Sequence, residues 1–446
     1  MKVFFASLGC DKNLVDSEVM LSLLAKDGFT ITDDENDAEI AVVNTCSFIL
    51  DAKQESIDTI LELSDLKDEG KLKVLIVCGC LAERYADELK EEIPAIDAVL
   101  GTMAISEIVE AVKKALDGEQ VAIFPSIDRE LPEFAGRMVT TGGHYAYLKI
   151  AEGCNKRCTY CAIPAMRGKY RSYPMEHLLK EARYLVEEVG VKEIILVAQE
   201  TTLYGVDLYG EKKLPELLKK LSEIDGLKWI RILYCYPEEI TEELIDVMSS
   251  EPKVLHYLDV PIQHASDTIL KRMGRRTSRA ELEEKIAMMR KRIPDICLRT
   301  TLISGFPGET EEDFEIVKEF VKKMRFDRLG VFAYSKEEGT PAAEMPDQIP
   351  EEVKEARRDE LMLIQQEIAF EKAEERIGEE YDVLVEGRIP EDEVYVGRTY
   401  LDAPEVDGFV FFESDLELVS GELIRVRIVD CNEYDLIGEL CDEFTE

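Results

Sequence analysis

The sequence predicts an α/β protein in three parts: an N-terminal open parallel sheet, a partial six-stranded (βα) barrel and a small antiparallel β-barrel. Three observations carry this. Short apolar strands alternate with helical patterns over residues 1–120, and the same alternation returns over 145–335. After Ile377 the helical patterns stop, and short strands separated by turn residues take over. The chain has 446 residues, enough for two to four domains at roughly 100–200 residues each.

In the first part (1–120), VFFASL (3–8) precedes a helical stretch over 14–26, EIAVVNT (39–45) one over 52–66, and KVLIVCG (73–79) one over 82–90. A linker follows over 121–143, marked by the turn-rich PSIDRELPEF (125–134). The second part (144–335) offers AYLKIA (146–151), EIILVAQ (193–199), WIRILY (229–234), LHYLDV (255–260), CLRTTLI (297–303) and RLGVFA (328–333) as strands. Helical patterns such as 174–189, 214–223 and 279–292 lie between them. Six strands are too few for the usual closed barrel of eight, so an open barrel is expected. Residues 336–376 are a linker and connecting helix, the helix over 350–376 having no glycine or interior proline. Residues 377–446 hold YDVLVEG (381–387), GFVFF (408–412) and LIRVRIVD (423–430) as strands.

Charge bounds the partners. Net charge is −40, from 94 acidic and 54 basic residues, which repels phosphate backbones and favours basic partners. Across 376–446 there are 21 acidic residues, five arginines and no lysine, a net of −16. A small β-barrel is a common nucleic-acid module, but this one lacks the basic stripe that such binding needs. It reads as a docking surface for a basic partner, with a merely solvated acidic face as the alternative. No apolar run approaches the roughly 18 residues of a membrane helix. The opening MKVFFASLGC is too short in its apolar segment for a signal peptide and reads as the first strand of a cytoplasmic protein. Eleven cysteines, an odd number spread along the chain, point to metal or redox use rather than a disulfide framework.

The densest chemistry is CNKRCTYC (154–161), three thiols at CxxxCxxC spacing after the first barrel strand. Barrel enzymes place their chemistry at that face. No histidine lies near the run, and the next cysteine downstream is Cys235, which disfavours zinc. Three thiolates on an iron–sulfur cubane would leave one iron open to a small chelating molecule.

This pattern, with Tyr160 just before the last thiol, resembles the radical S-adenosylmethionine (SAM) superfamily. The resemblance implies a [4Fe–4S] cluster on Cys154, Cys158 and Cys161, with SAM chelating the open iron and being cleaved reductively to a 5′-deoxyadenosyl radical. GVKEIILVAQET (190–201) then offers Gln199 and Glu200 at a strand end as SAM-contacting residues. TLISGFPGET (301–310) offers Gly305 and Gly308, either for close backbone approach to the ligand or as an ordinary turn. No separate catalytic side chain is assigned.

Cys10, Cys46 and Cys80 each follow one of the first three predicted strands, where open sheets bind ligands. Any one alone could be a buried small hydrophobe. Three in equivalent places resemble the methylthiotransferases, which join a three-cysteine domain, a radical SAM barrel and a terminal β-barrel of the TRAM kind. That resemblance covers essentially the whole chain. It implies a second [4Fe–4S] cluster on Cys10, Cys46 and Cys80 that holds or relays the inserted sulfur. One SAM would methylate that sulfur, a second would yield the radical, and an electron donor would be required. Cys78, Cys235, Cys297, Cys431 and Cys441 are read as structural.

Two branches share this architecture, one modifying a transfer RNA adenosine and one adding methylthio to the β-carbon of an aspartate in small-subunit ribosomal protein twelve. SLGCDKNLVDSEVM (7–20), CAIPAMRGKYRSYP (161–174), PIQHASDTILKRMGR (261–275) and TYLDAPEVDGFVFF (399–412) resemble the second branch. Asp11 departs from the proline usual there and Tyr173 from a common arginine, but neither position would carry metal. The net −16 module agrees, since ribosomal proteins are strongly basic and transfer RNA is not. The transfer RNA enzyme remains the alternative, and a non-catalytic metal scaffold the alternative from another class.

Overall fold

A computed structural model describes residues 1–389 and 394–441. Six parallel strands form the N-terminal sheet: β1 (Lys2–Ser7), β2 (Thr30–Thr32), β3 (Ile40–Thr45), β4 (Val74–Gly79), β5 (Ala98–Leu100) and β6 (Val121–Ile123), in the order β2-β1-β3-β4-β5-β6. Every residue of β3 and β4 is buried, as expected of central parallel strands covered by helices on both faces. The sheet runs on through Ile123, three residues into the stretch read as linker. The helix expected over 82–90 is two pieces, α3 (Cys80–Arg84) and Ala86–Glu92, because Tyr85 leaves the helical region at φ −132°, ψ 38°.

The middle part is an open barrel of six parallel strands: β7 (Tyr145–Lys149), β10 (Glu193–Val197), β11 (Trp229–Ile232), β12 (Val254–Asp259), β13 (Cys297–Ser304) and β14 (Arg328–Ala333), in sequence order across the sheet. The strand expected over 146–151 breaks at Ile150. The chain then continues as β8 (Ala151–Glu152), which pairs instead with β9 (Arg171–Ser172). Outward residues such as Ala146, Leu148, Ile194 and Ile230 join the large core under the surrounding helices. Strand alternation turns Lys149, Glu193, Arg231, Asp259 and Arg299 the other way, so the barrel interior is charged.

The helix Glu351–Glu374 leads from β14 to a closed five-stranded barrel of β15 (Glu380–Ile389), β16 (Val394–Arg398), β17 (Val410–Glu413), β18 (Leu423–Cys431) and β19 (Leu436–Leu440). Four of its seams are antiparallel; β17 and β19 pair in parallel, Val410 opposite Leu436, because β18 crosses the barrel between them. Six of the module's 21 acidic residues, at 391–393, 442, 443 and 446, lie outside the described residues.

This module closes the floor of the middle barrel. Leu384, Leu401 and Ala403 pack with Tyr145, Tyr147, Trp229, Tyr257 and Cys297 of the strands and with Val15 of α1 (Asp11–Lys26). Arg398 is fully buried and donates to Glu193 at 2.8 Å and to Glu386 at 2.5 Å, while Arg231 donates to Glu193 at 2.7 Å. Removing one partner of such a buried set strands a charge, at about 3–5 kcal/mol. Asp402 pairs with Arg328, and Asp407 accepts from the Tyr257 hydroxyl at 2.6 Å. Part of the module's negative charge is therefore matched internally. Glu413, Asp415, Glu417, Glu422, Asp430, Glu433 and Glu439 remain exposed.

Candidate functional site

Two cysteine triads lie at the strand ends. The first occupies the loop between β8 and the short helix Ile163–Arg167. Gly153, at φ +79°, lets this loop fold back on itself: a Cβ there would lie 2.2 Å from the Lys169 carbonyl oxygen. Cys154 N–H donates to the Gly168 carbonyl at 3.1 Å. The far side is pinned by Thr159, whose N–H donates to Met273 O at 2.9 Å and whose carbonyl accepts from Ala342 N–H at 2.8 Å. Cys154 and Cys158 are buried and Cys161 is half-buried. The Cys158 sulfur lies 3.2 Å from the Tyr236 hydroxyl, and Arg275 sits 4.1 Å over the Tyr236 ring.

Burial pushes the Cys154 thiol up to about 11 and Cys161 up to about 12, and the neighbouring thiols of the triad add to the rise. Three thiolates here repel one another unless a polycationic core lies between them. Among the described residues no group of three His, Cys, Asp or Glu side chains is arranged to hold a metal ion. A cubane asks for something else, three thiolates that each bind a different iron.

Beside this loop, Glu200 is fully buried. Its Oε1 accepts from the Thr202 N–H at 3.1 Å, while its Oε2 has no partner. Burial raises its carboxyl to about 7, against the pull of Thr202 and Lys156. Gln199 donates from Nε2 to Glu152 Oε1 at 2.9 Å, and its Oε1 is likewise buried and unpartnered. Two orphaned acceptors beside a thiol loop fit a ligand bearing ammonium or hydroxyl donors. Tyr160 packs edge-on against Phe306 at 6.5 Å. Gly305 and Gly308 flank that phenylalanine. Both have positive φ, and a Cβ would meet Lys354 at 2.3 Å and Arg272 at 2.7 Å respectively.

The second triad follows from the strand order. β1, β3 and β4 are adjacent and parallel, so the residues just past their C-terminal ends share one edge. Cys10 caps α1, Cys46 follows β3 and Cys80 opens α3. Gly9, at φ +85°, brings the first of these loops onto the second: its Cβ would lie 2.9 Å from the Cys46 sulfur. Asn13 ties the loops together, donating from Nδ2 to Leu8 O and Thr45 O, each at 3.0 Å. Burial, then Cys10 and Cys80, push Cys46 up to about 12. Cys78 and Cys297 are buried and donate to Val43 O and Leu401 O, and Cys235 is fully buried.

The triads are neighbours. Cys80 shares one buried apolar cluster with Met166 and with Ala162, which follows Cys161. Behind this cluster lies a buried ionic network that the motifs alone did not single out. Lys149 pairs with Asp16 of α1 and with Glu152 at 2.8 Å. Arg167 pairs with Asp16 at 2.8 Å and Glu152 at 3.2 Å. A sequence signal existed: a lysine at an inward position of an otherwise apolar strand, AYLKIA.

Residues 148–321 match the radical SAM superfamily, 377–441 the TRAM domain, and 2–101 the family described as uncharacterized protein family UPF0004. The chain is 61% identical over 438 residues to the ribosomal protein uS12 methylthiotransferase RimO of Lachnoclostridium phytofermentans, covering 98% of this chain and 99% of that one. The proteins of that name from Clostridium tetani and Clostridioides difficile are 49% and 51% identical over 443 residues, each covering 99% of both chains. Among solved structures, the radical SAM methyltransferase TsrM of Kitasatospora setae superposes with a TM-score of 0.53 at 14% identity, over 86% of this chain and 78% of that one. The cobalamin-dependent SAM radical enzyme OxsB gives 0.51 at 15% identity, over 82% and 56%. At such identity these two show the shared fold alone. Full-length identity, the three matched regions and the barrel fold agree: the chain belongs to the RimO family of radical SAM methylthiotransferases.

Proposed function

We propose that this enzyme converts an aspartate of ribosomal protein uS12 to its 3-methylthio derivative, with Cys154, Cys158 and Cys161 holding the cluster that cleaves SAM and Cys10, Cys46 and Cys80 holding a second cluster for sulfur. The observation that carries it is the buried cluster that Cys80 shares with Ala162 and Met166, which supports reading the two cysteine triads as neighbouring sites. Cys154, Cys158 and Cys161 would hold a [4Fe–4S] cluster, which when bound would supply the electron for reductive cleavage of SAM. The chain's own residues bind and orient. The Glu200 carboxylate receives a cationic or hydroxyl group of SAM, Gln199 Oε1 accepts a second donor, and Tyr160 with Phe306 walls the pocket. An electron donor is needed, and the setting is cytoplasmic, consistent with the absence of any helix among the described residues long and apolar enough to cross a membrane.

The exposed carboxylates of β17, β18 and the turns beside them are the proposed docking surface for the basic substrate, by charge complementarity. The test is direct. Purified enzyme with SAM, sulfide and reductant is offered basic uS12 and transfer RNA together, and mass spectrometry reads both. Methylthio mass on the uS12 aspartate is expected; product on adenosine alone would replace this reading with the transfer RNA one.

Glu200 gives a pH signature. With its carboxyl at about 7, it is neutral below that pH and anionic above it. A cationic ligand prefers the anion, so SAM binding is expected to tighten as pH rises through about 7. Glu200→Gln flattens that dependence and weakens binding about tenfold, the worth of one charge-assisted contact. Isothermal titration of the reconstituted enzyme from pH 6 to 8 measures both, and an unchanged slope in the variant removes Glu200 from the site.

A further inference from the structure

Arg167 is 3% exposed and ends the short helix that follows the first triad, six residues past Cys161, yet its guanidinium faces the second triad. Its Nη2 donates to Asn13 Oδ1, the same oxygen that lies 4.0 Å from the Cys80 sulfur. Its Nη1 donates to Asp16 and Glu152 at 2.8 and 3.2 Å.

A cubane on three thiolates carries a net negative charge, and each added electron or anion makes it more negative. In a buried site each such increment is costly unless a fixed cation faces it. Arginine suits the task because it stays protonated and its planar fork is locked by two carboxylates. We propose that Arg167 is the charge-compensating positioning residue of the Cys10–Cys46–Cys80 site, favouring a small anionic sulfur species, hydrosulfide or an alkanethiolate, at the open iron. This rests on the reading that those three cysteines hold a cluster. The residue follows one triad and serves the other, so the two triads share a charge as well as a buried cluster.

The test uses the full chain with Cys154, Cys158 and Cys161 all changed to Ala, so that only the second cluster is present after anaerobic reconstitution. Iron content, midpoint potential and the sodium sulfide concentration that half-converts the reduced-cluster EPR signal are measured. In that background Arg167→Gln is expected to keep its iron, move the potential downward and raise the half-converting sulfide about tenfold, the scale of one charge-assisted contact. Arg167→Lys restores part of the shift. Glu152→Gln removes the opposing charge and is expected to move both quantities the other way, which a purely structural role would not do. It also keeps the test open should Arg167→Gln fail to fold. Iron retained with unchanged potential and sulfide response, or shifts of the same sign in the arginine and glutamate variants, overturn the proposal. Absence of iron in the triple-alanine parent instead defeats the two-cluster reading beneath it.

Discussion

With Cys154, Cys158 and Cys161 replaced together by alanine, 5′-deoxyadenosine formation from SAM falls to the background of reductant alone. The effect is total because each thiolate of the proposed site would bind a different iron, and a cubane held by fewer than three protein thiolates would lose its anchor. The fold survives, since the loop is fixed by backbone contacts of Cys154, Thr159 and Gly168 rather than by the sulfurs. Reconstituted iron falls from about eight to about four per chain, the content of one remaining cubane. Liquid chromatography of the nucleoside and iron analysis of anaerobic protein read both. Sustained nucleoside formation in this variant would remove the assignment.

The companion experiment separates the two sites. Replacing Cys10, Cys46 and Cys80 by alanine is expected to leave 5′-deoxyadenosine formation in place while the methylthio product disappears from uS12. Asn13, Thr45 and Ser56 hold the loops of that triad through their own hydrogen bonds, so the sheet edge keeps its shape. Iron again drops to about four, now with the first cluster retained. Full methylthio product from this protein would show that the second triad takes no part in sulfur insertion.

Much of this was legible beforehand for a physical reason. Ile40–Val43 and Val74–Cys78 are apolar runs, and a cysteine directly follows each of their strands, so the strands and the cysteines at their ends declare each other. Adjacent placement of β1, β3 and β4 then follows from short right-handed connections. The tighter features were harder to read. Glu193 and Arg231 look like ordinary polar alternation in a strand, and nothing local shows that Glu193 turns toward a buried arginine 205 residues away. β16 and β19 were not singled out because they lie among acidic and turn residues. The glycines of GFPGET signal close approach, and Lys354 and Arg272 are among the groups that come close to them.

The floor of the middle barrel has a consequence for how the chain comes into being. Trp229, Tyr257 and Tyr145 are covered by residues near Leu401 and Ala403, which leave the ribosome well after β14 ends at Ala333. A nascent chain therefore carries all six strands of the open barrel while its inside is still wet. It dries only when the small barrel folds up beneath it, and a chain stopped at the connecting helix would present that aromatic surface to whatever apolar neighbour arrives first.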